Sequence, residues 1–320
     1  MRTQYSCLYR QEERYRSYTN HYRNLKSKTT INTKNRMRLL LCLLLSFCFL
    51  HNGFSQTKPA YHVFDAKGKK VSYKKMLQFI SKADVLLFGE YHNNPICHWL
   101  QLVMTRDLKP MRNLTLGAEM FEADNQGALN AYLADQITAK GLDSLARLWS
   151  NYKTDYAPLV DFAKNQQLAF IATNIPRKHA NLVFREGLEA LEQLPKVEKQ
   201  WIAPLPIEYD AELPGYKNMR TMMPGHGGDN LPKAQAIKDA TMAHFILQNM
   251  QQGYLFIHYN GTYHSDNYEG IGWYLRRQRP ELRIVTIATV LQDQVECLSP
   301  EHKGRADFIL CIDTAMTTTY

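Results

Sequence analysis

A chain of 320 residues, 45% hydrophobic and 22% charged, is long enough to bury one large core or a core with an insert. Its formal charge of +9 would suit a polyanion, but nine Lys or Arg residues stand against only Glu12 and Glu13 within residues 1–36. From Met37 onward 30 basic face 28 acidic residues, a balance that leaves no electrostatic footprint for nucleic acid.

Met37-Arg38 is followed by "LLLCLLLSFCFL" (39–50) and then by "HNGFSQ", where Gly53 and Ser55 suit the small positions of a cleavage site. Residues 1–55 therefore read as a leader with a secretory signal peptide, and translation starts at either Met1 or Met37. The expectation is export, to the periplasm or to the outer-membrane or extracellular face. The run falls short of the roughly 20 apolar residues that span a bilayer, and an uncleaved anchor is the alternative. Cys42 and Cys48 follow the bulky Leu41 and Phe47, so a lipid anchor is not supported by a good cleavage motif. Cys97, Cys297 and Cys311 remain after cleavage; they match no zinc spacing and allow one bridge at most, Cys297 with Cys311 being left open.

Residues 56–320 form the expected folded part. "YHVFDAKGKKVSY" (61–73) reads as a hairpin of two short strands around Lys67-Gly68, at the edge of the domain. Short apolar runs then recur at 84–89, 114–120, 168–173, 254–260, 283–289 and 307–312, as buried parallel strands do. Helices are expected at 95–108, 122–148, 155–166 and 233–250; in the last, Ala236, Ala240, Ala243, Leu247 and Met250 recur at three- and four-residue steps. The alternation predicts an α/β fold, a doubly wound and mainly parallel sheet flanked by helices. The interval between Asn174 and Tyr254 is too long for a simple crossover, so a smaller helical subdomain is expected at about 178–252 with a long loop.

In such sheets ligands bind beyond the carboxyl ends of the strands. There this chain places Glu90 and His92, then Glu119, then Arg177 and Lys178, then His264. Residues two apart on extended backbone point to one side, so Glu90 and His92 can face one pocket, where a carboxylate orients an imidazole or shares a metal with it. A charge at the end of a buried strand needs a partner, which for Glu119 is a cation, a donor or a metal. His92, Glu119 and His264 make a candidate divalent-metal set, although no short fixed spacing ties them together. Singly, each has a structural explanation: Glu90 or Glu119 pairing with Arg177, His92 bonding a loop, and His258 packing in the core. Arg177 and Lys178 suit a carboxylate or phosphate. The loop 204–232 carries Tyr209, Tyr216, Met219, Met222, Met223 and His226, a mixture suited to a flat apolar ligand with a metal centre, or simply to packing. Phosphate-cradling loops, a nucleophile elbow and CxxC are all missing.

The blocks "LLFGEYH", "GAEMF", "DYAPLVDFAKNQQLAFIATNIPR", "QAIKDATMAHFI" and "NGTYHSDNYEGIGWYL" resemble the ChaN-like haem-binding proteins, an iron-regulated lipoprotein family within the Tiki and erythromycin-esterase-like superfamily. The likeness covers roughly residues 60–315. It implies an α/β core, haem as ligand and cofactor, and a role in haem or iron acquisition. It also implies a homodimer around stacked haems and an outer-membrane haem-uptake receptor as partner. A tyrosine oxygen on iron and basic groups on the propionates are expected; Tyr209 and Tyr216, with Arg177 and Lys178, are the candidates. Family members carry a lipid anchor, and this chain departs there. The wider superfamily implies a second reading, a divalent-metal hydrolase (Mn, Zn or Co) in which His92, Glu119 and His264 hold the ion and Glu90 is the general base.

Overall fold

Aliphatic and aromatic runs without Pro can be buried on both faces only when helices cover both sides of the sheet they form. The computed structural model, which describes residues 37–38, 58–222 and 228–320, has this arrangement. The expected leader and signal peptide fall almost wholly outside the described residues, as do Met223 and His226. Among the described residues no helix is long and apolar enough to cross a membrane.

The elements are β1 (Tyr61–Asp65), α1 (Tyr73–Ile80), β2 (Val85–Glu90), α2 (Pro95–Leu108), β3 (Asn113–Glu122), α3 (Gln126–Leu133), α4 (Ala139–Leu145), α5 (Ala157–Asn165), β4 (Phe170–Asn174), α6 (Arg177–Glu186), α7 (Lys196–Lys199), α8 (Pro214–Met222), α9 (Asn230–Asn249), β5 (Tyr254–Gly261), α10 (Ile271–Gln278), β6 (Ile284–Gln292) and β7 (Phe308–Asp313). The described strands form one sheet in the order β1-β7-β6-β2-β5-β3-β4. All pairings are parallel except that of β1 on β7. The fold is the expected doubly wound, mainly parallel α/β sheet.

Alternation sends Leu86 and Phe88 of β2 to one face, among Met76, Leu100 and Leu159 of α1, α2 and α5. Val85 and Leu87 go to the other, among Ala240, Ala243 and Ile246 of α9 and Leu275 of α10. The stretch 178–252 holds most of α6, then α7, α8 and α9. Val183, Leu191, Ile202 and Ile237 bury a small satellite cluster there, while α9 itself lies on the sheet.

Two local expectations change. The second arm of the hairpin is reduced to one bridge, Phe64 with Lys70, because β1 takes its main partner from β7. The helix expected over 122–148 breaks into a short turn, α3 and α4. Asp135 between them takes a left-handed φ of 59°, and the Thr138 hydroxyl accepts from the Gly141 N–H to start α4 afresh. Cys97, Cys297 and Cys311 are free thiols.

What matters for the site is the centre of the sheet. β5 lies between β2 and β3, with Glu90 opposite Gly261 and Ala118 opposite Tyr259. The β3–β4 pairing slips between Ala118 and Glu122, an irregularity that re-aims the side chains around Glu119. Past β2, Asn94 caps α2 by accepting from the N–H groups of Ile96 and Cys97, with Pro95 in the first turn, so the chain turns sharply straight after His92.

Candidate functional site

Glu90 is the last residue of β2 and is fully enclosed. A buried carboxylate must be satisfied, and this one accepts from the Tyr156 hydroxyl at 2.7 Å, from the Gln101 amide and from His92 Nδ1 at 2.8 Å. The bond to Nδ1 fixes the tautomer that leaves His92 Nε2 as the free ring nitrogen. Trp149 meets the ring edge-on at 4.7 Å, and Asn151 and His98 both donate to the His92 carbonyl, at 2.8 and 3.0 Å. Burial works to lower the affinity of His92 for its proton. The Glu90 hydrogen bond and the charges of Glu119 and Glu90 outweigh it and raise the ring above its ordinary value of 6.5.

A second pair faces the first across β5. Glu119 is buried on β3; its Oε2 accepts the Gly261 N–H at 2.7 Å, and its Oε1 lies 3.2 Å from His264 Nε2. The other nitrogen of His264, Nδ1, is 2.5 Å from Oδ1 of Asp239 on α9, and Asp239 Oδ2 accepts the Tyr216 hydroxyl at 3.0 Å. His264 is thus held between two buried carboxylates. Burial pulls its pKa down, but Glu119 and Asp239 together push it up to about 9, so the ring is an imidazolium with both N–H groups engaged. Glu119 is raised by burial, yet His264, His92 and Lys238 bring it well below the usual carboxylate range. Asp239 stays above its ordinary value because burial outweighs its two donors. The two pairs meet at Gly261, where a Cβ would stand 2.8 Å from His92 Nε2 and 3.4 Å from Glu119 Oε2. Only glycine fits there without moving a neighbour.

This charge arrangement makes stability depend on pH. A histidine raised from 6.5 to about 9 adds stability that is complete below pH 6.5 and is lost as pH rises through about 9. The urea unfolding free energy is expected to fall by roughly 1–3 kcal/mol across that window, and a Glu119→Gln variant should flatten the fall.

Glu119 also lines a cavity of about 750 Å³ beyond the ends of β3 and β4. Trp149, Leu148 and Ile175 supply apolar wall, and Arg147, Arg177 and Lys238 supply positive charge. Arg147 already pairs with Glu122 and Asp124. Arg177 and Lys238 have no ion-pair partner among the described residues.

A family model for haem-binding uptake proteins of the Tiki superfamily, ChaN, matches residues 76–275, from α1 to α10 and across both pairs. The chain belongs to the ChaN family. Among solved structures it is similar to ChaN of Campylobacter jejuni, described with cofacial haem binding. Identity is 18%, the match covers 79% of this chain and 97% of that one, and the TM-score of 0.56 marks a shared fold. A weaker likeness, at 10% identity and a TM-score of 0.43 over 82% of this chain and 83% of the other, joins it to an erythromycin esterase variant in its open conformation. Among curated proteins, RETICULATA-RELATED 5, a chloroplastic protein of Arabidopsis thaliana, is 25% identical over 204 residues, 58% of this chain. This ChaN-family chain spans only 27% of the length of that relative.

Of the residues singled out from sequence, the ChaN-family fold brings Glu90, His92, Glu119 and His264 into one cluster and sets Arg177 on the rim of the adjoining cavity. Arg177 pairs with neither Glu90 nor Glu119. Lys178 points elsewhere: its ammonium bonds Glu198 at 2.8 Å and lies over the Trp201 ring. Tyr216 does not reach the cavity, because its hydroxyl is taken by Asp239 and burial raises its pKa far above the ordinary range. Tyr209 stacks on it at 5.7 Å. His92, Glu119 and His264 are neighbours but not a chelate, and among the described residues no three His, Cys, Asp or Glu side chains are placed to hold a metal ion. Here the two ring nitrogens of His264 face Asp239 and Glu119, at 2.5 and 3.2 Å. His258 is a packed core histidine, brought down to about 4 by burial and bonded to Thr173 and Asn260.

Asp239, Tyr156, Gln101, Trp149 and Lys238 went unrecognised in the sequence. For Asp239 a signal existed: it interrupts the alanine stripe of α9, where a lone acid on an apolar face demands a buried partner.

Proposed function

We propose that this chain binds haem in the cavity beside Glu119 and serves haem or iron acquisition outside the cytoplasm. Membership of the ChaN family carries the reading, and the cavity supports it with a chemistry that fits the group. Arg177 and Lys238, without ion-pair partners among the described residues, suit propionates, and Trp149, Leu148 and Ile175 offer apolar surface. His92, beside the cavity wall at Trp149, keeps Nε2 free for iron while Glu90 holds Nδ1. Haem, when bound, would supply an iron centre that takes a nitrogen donor; His92 would offer the imidazole, and Arg177 and Lys238 would hold the propionates. In this reading His92 takes iron in place of Tyr216, whose hydroxyl is engaged by Asp239, and of Tyr209, which stacks on Tyr216 and is not among the residues lining the cavity. Export through a signal peptide, a homodimer and an outer-membrane haem-uptake receptor belong to the same proposal and rest on the family likeness.

Titration of the purified chain with haemin should give a saturable Soret band. His92→Ala should shift that band and weaken binding at least tenfold, and Arg177→Gln with Lys238→Gln should weaken it several-fold. Tyr209→Phe should leave it in place. A band that never saturates, or one indifferent to His92, would remove the haem assignment.

A second reading has its own observation. An imidazole oriented by a buried carboxylate, with its outer nitrogen free and an ionised Glu119 nearby, is the arrangement of a general base that takes a proton from water. Turnover of ester substrates that falls about 10²–10⁴-fold in His92→Ala would favour hydrolysis, and activity unchanged in that variant would dismiss it.

A further inference from the structure

Asp239 is 0% exposed on an otherwise apolar face of α9, between Ala236 and Ala240. Burying a carboxylate there is unfavourable unless donors reach it, and two do, from distant parts of the chain. His264 Nδ1 comes from the turn after β5, and the Tyr216 hydroxyl comes from α8. The surroundings are built to keep them in place. Gly270 takes a φ of +54°, and a Cβ there would stand 2.3 Å from the His264 carbonyl oxygen and 3.3 Å from Asp239 Cγ. Next to Tyr216, the Gly215 N–H donates to Glu269 at 2.7 Å, which ties α8 to the same turn.

We propose that Tyr216 and Asp239 are positioning residues of the site: the chain Tyr216–Asp239–His264–Glu119 fixes the direction in which Glu119 presents its carboxylate at the cavity. With Nδ1 held by Asp239 and Nε2 against Glu119, the His264 ring cannot flip without breaking two charge-assisted hydrogen bonds. Glu119 in turn is clamped between that ring and the Gly261 N–H. Helix α8, in the long connection between β4 and β5, thereby becomes part of the site although none of its side chains needs to touch a ligand. The inference goes beyond haem binding and hydrolysis and holds under either.

Proton and nitrogen NMR of the full chain separates this role from mere core packing. The wild type should show His264 ring protons far downfield of the amide envelope, as expected for N–H groups donated to carboxylates. Asp239→Asn should abolish the Nδ1 signal and move the Gly261 amide proton upfield, two side chains away from the substitution. Tyr216→Phe keeps the ring and removes only the hydroxyl; it should shift both signals in the same sense by a smaller amount. It also keeps the test open if Asp239→Asn does not fold. Thr115→Val, at a buried hydroxyl on β3 without a hydrogen-bond partner, serves as the control and should leave Gly261 where it is. Downfield ring signals and a Gly261 amide that respond no more to Tyr216→Phe than to Thr115→Val would overturn the proposal, as would their absence from the wild type.

Discussion

Glu119→Ala is expected to cost about 3–5 kcal/mol of unfolding free energy at neutral pH. The carboxylate is buried; it is one of the two that keep His264 protonated and is the acceptor for the Gly261 N–H. Removing it leaves an imidazolium with one partner where it had two, and a buried backbone donor with none, both far from water. Glu119→Gln should lose less, because it keeps the shape and an acceptor and gives up only the charge. Urea denaturation of the two variants beside the wild type decides the matter. A loss below about 1 kcal/mol for the alanine variant, the level of an exposed ion pair, would mean that Glu119 is not a buried charged partner of His264.

The second large effect is expected from the smallest change, Gly261→Ala. The added methyl would lie 2.8 Å from His92 Nε2 and 2.9 Å from Cε1, too close for either to stay. The ring has little freedom to retreat, since Nδ1 is bonded to Glu90 and Trp149 stands against it. Overpacking of this kind destabilises by about 1–3 kcal/mol. The functional loss should be larger, because displacing a reactive nitrogen by about 1 Å costs on the order of 100-fold. Haemin affinity should therefore fall steeply in a protein that still folds. Gly127→Ala provides the contrast: nothing lies within 4 Å of its added methyl, and it sits in helix α3. It should be neutral or slightly stabilising. Equal behaviour of the two variants would refute the claimed fit of His92 against Gly261.

Much of the fold was legible because buried parallel strands announce themselves. Each of the six apolar runs marked in the sequence overlaps a strand, and "DVLLFG" misses only the final Glu90 of β2. The break between α3 and α4 was not legible, since nothing in "LADQITAKG" marks Asp135 for a left-handed conformation. For the site, strand ends told where chemistry collects, and Glu90, His92, Glu119 and His264 do cluster. Their partners were hidden because pairing follows space: Tyr156 meets Glu90 across 66 positions, and Glu119 meets the Gly261 N–H across 142. The surroundings of His264 were hidden for a similar reason. Only the fold shows that Asp239 lies behind His264, so that its ring stands between two carboxylates. Tyr216 was noticed for its place in a loop and turned out to face inward.

β2 and β3 follow one another in the chain, joined by α2, yet they are not neighbours: β5, more than 130 residues beyond β3, slots between them. Until that late segment arrives, the first half of the polypeptide holds a gap two strand spacings wide, roughly 10 Å, with Glu90 on one bank and Glu119 on the other. Closing a loop that long precedes any reward from the contacts it makes. The pocket is therefore a product of finished folding rather than a seed for it, and a ligand that grips both banks can recognise only the completed molecule.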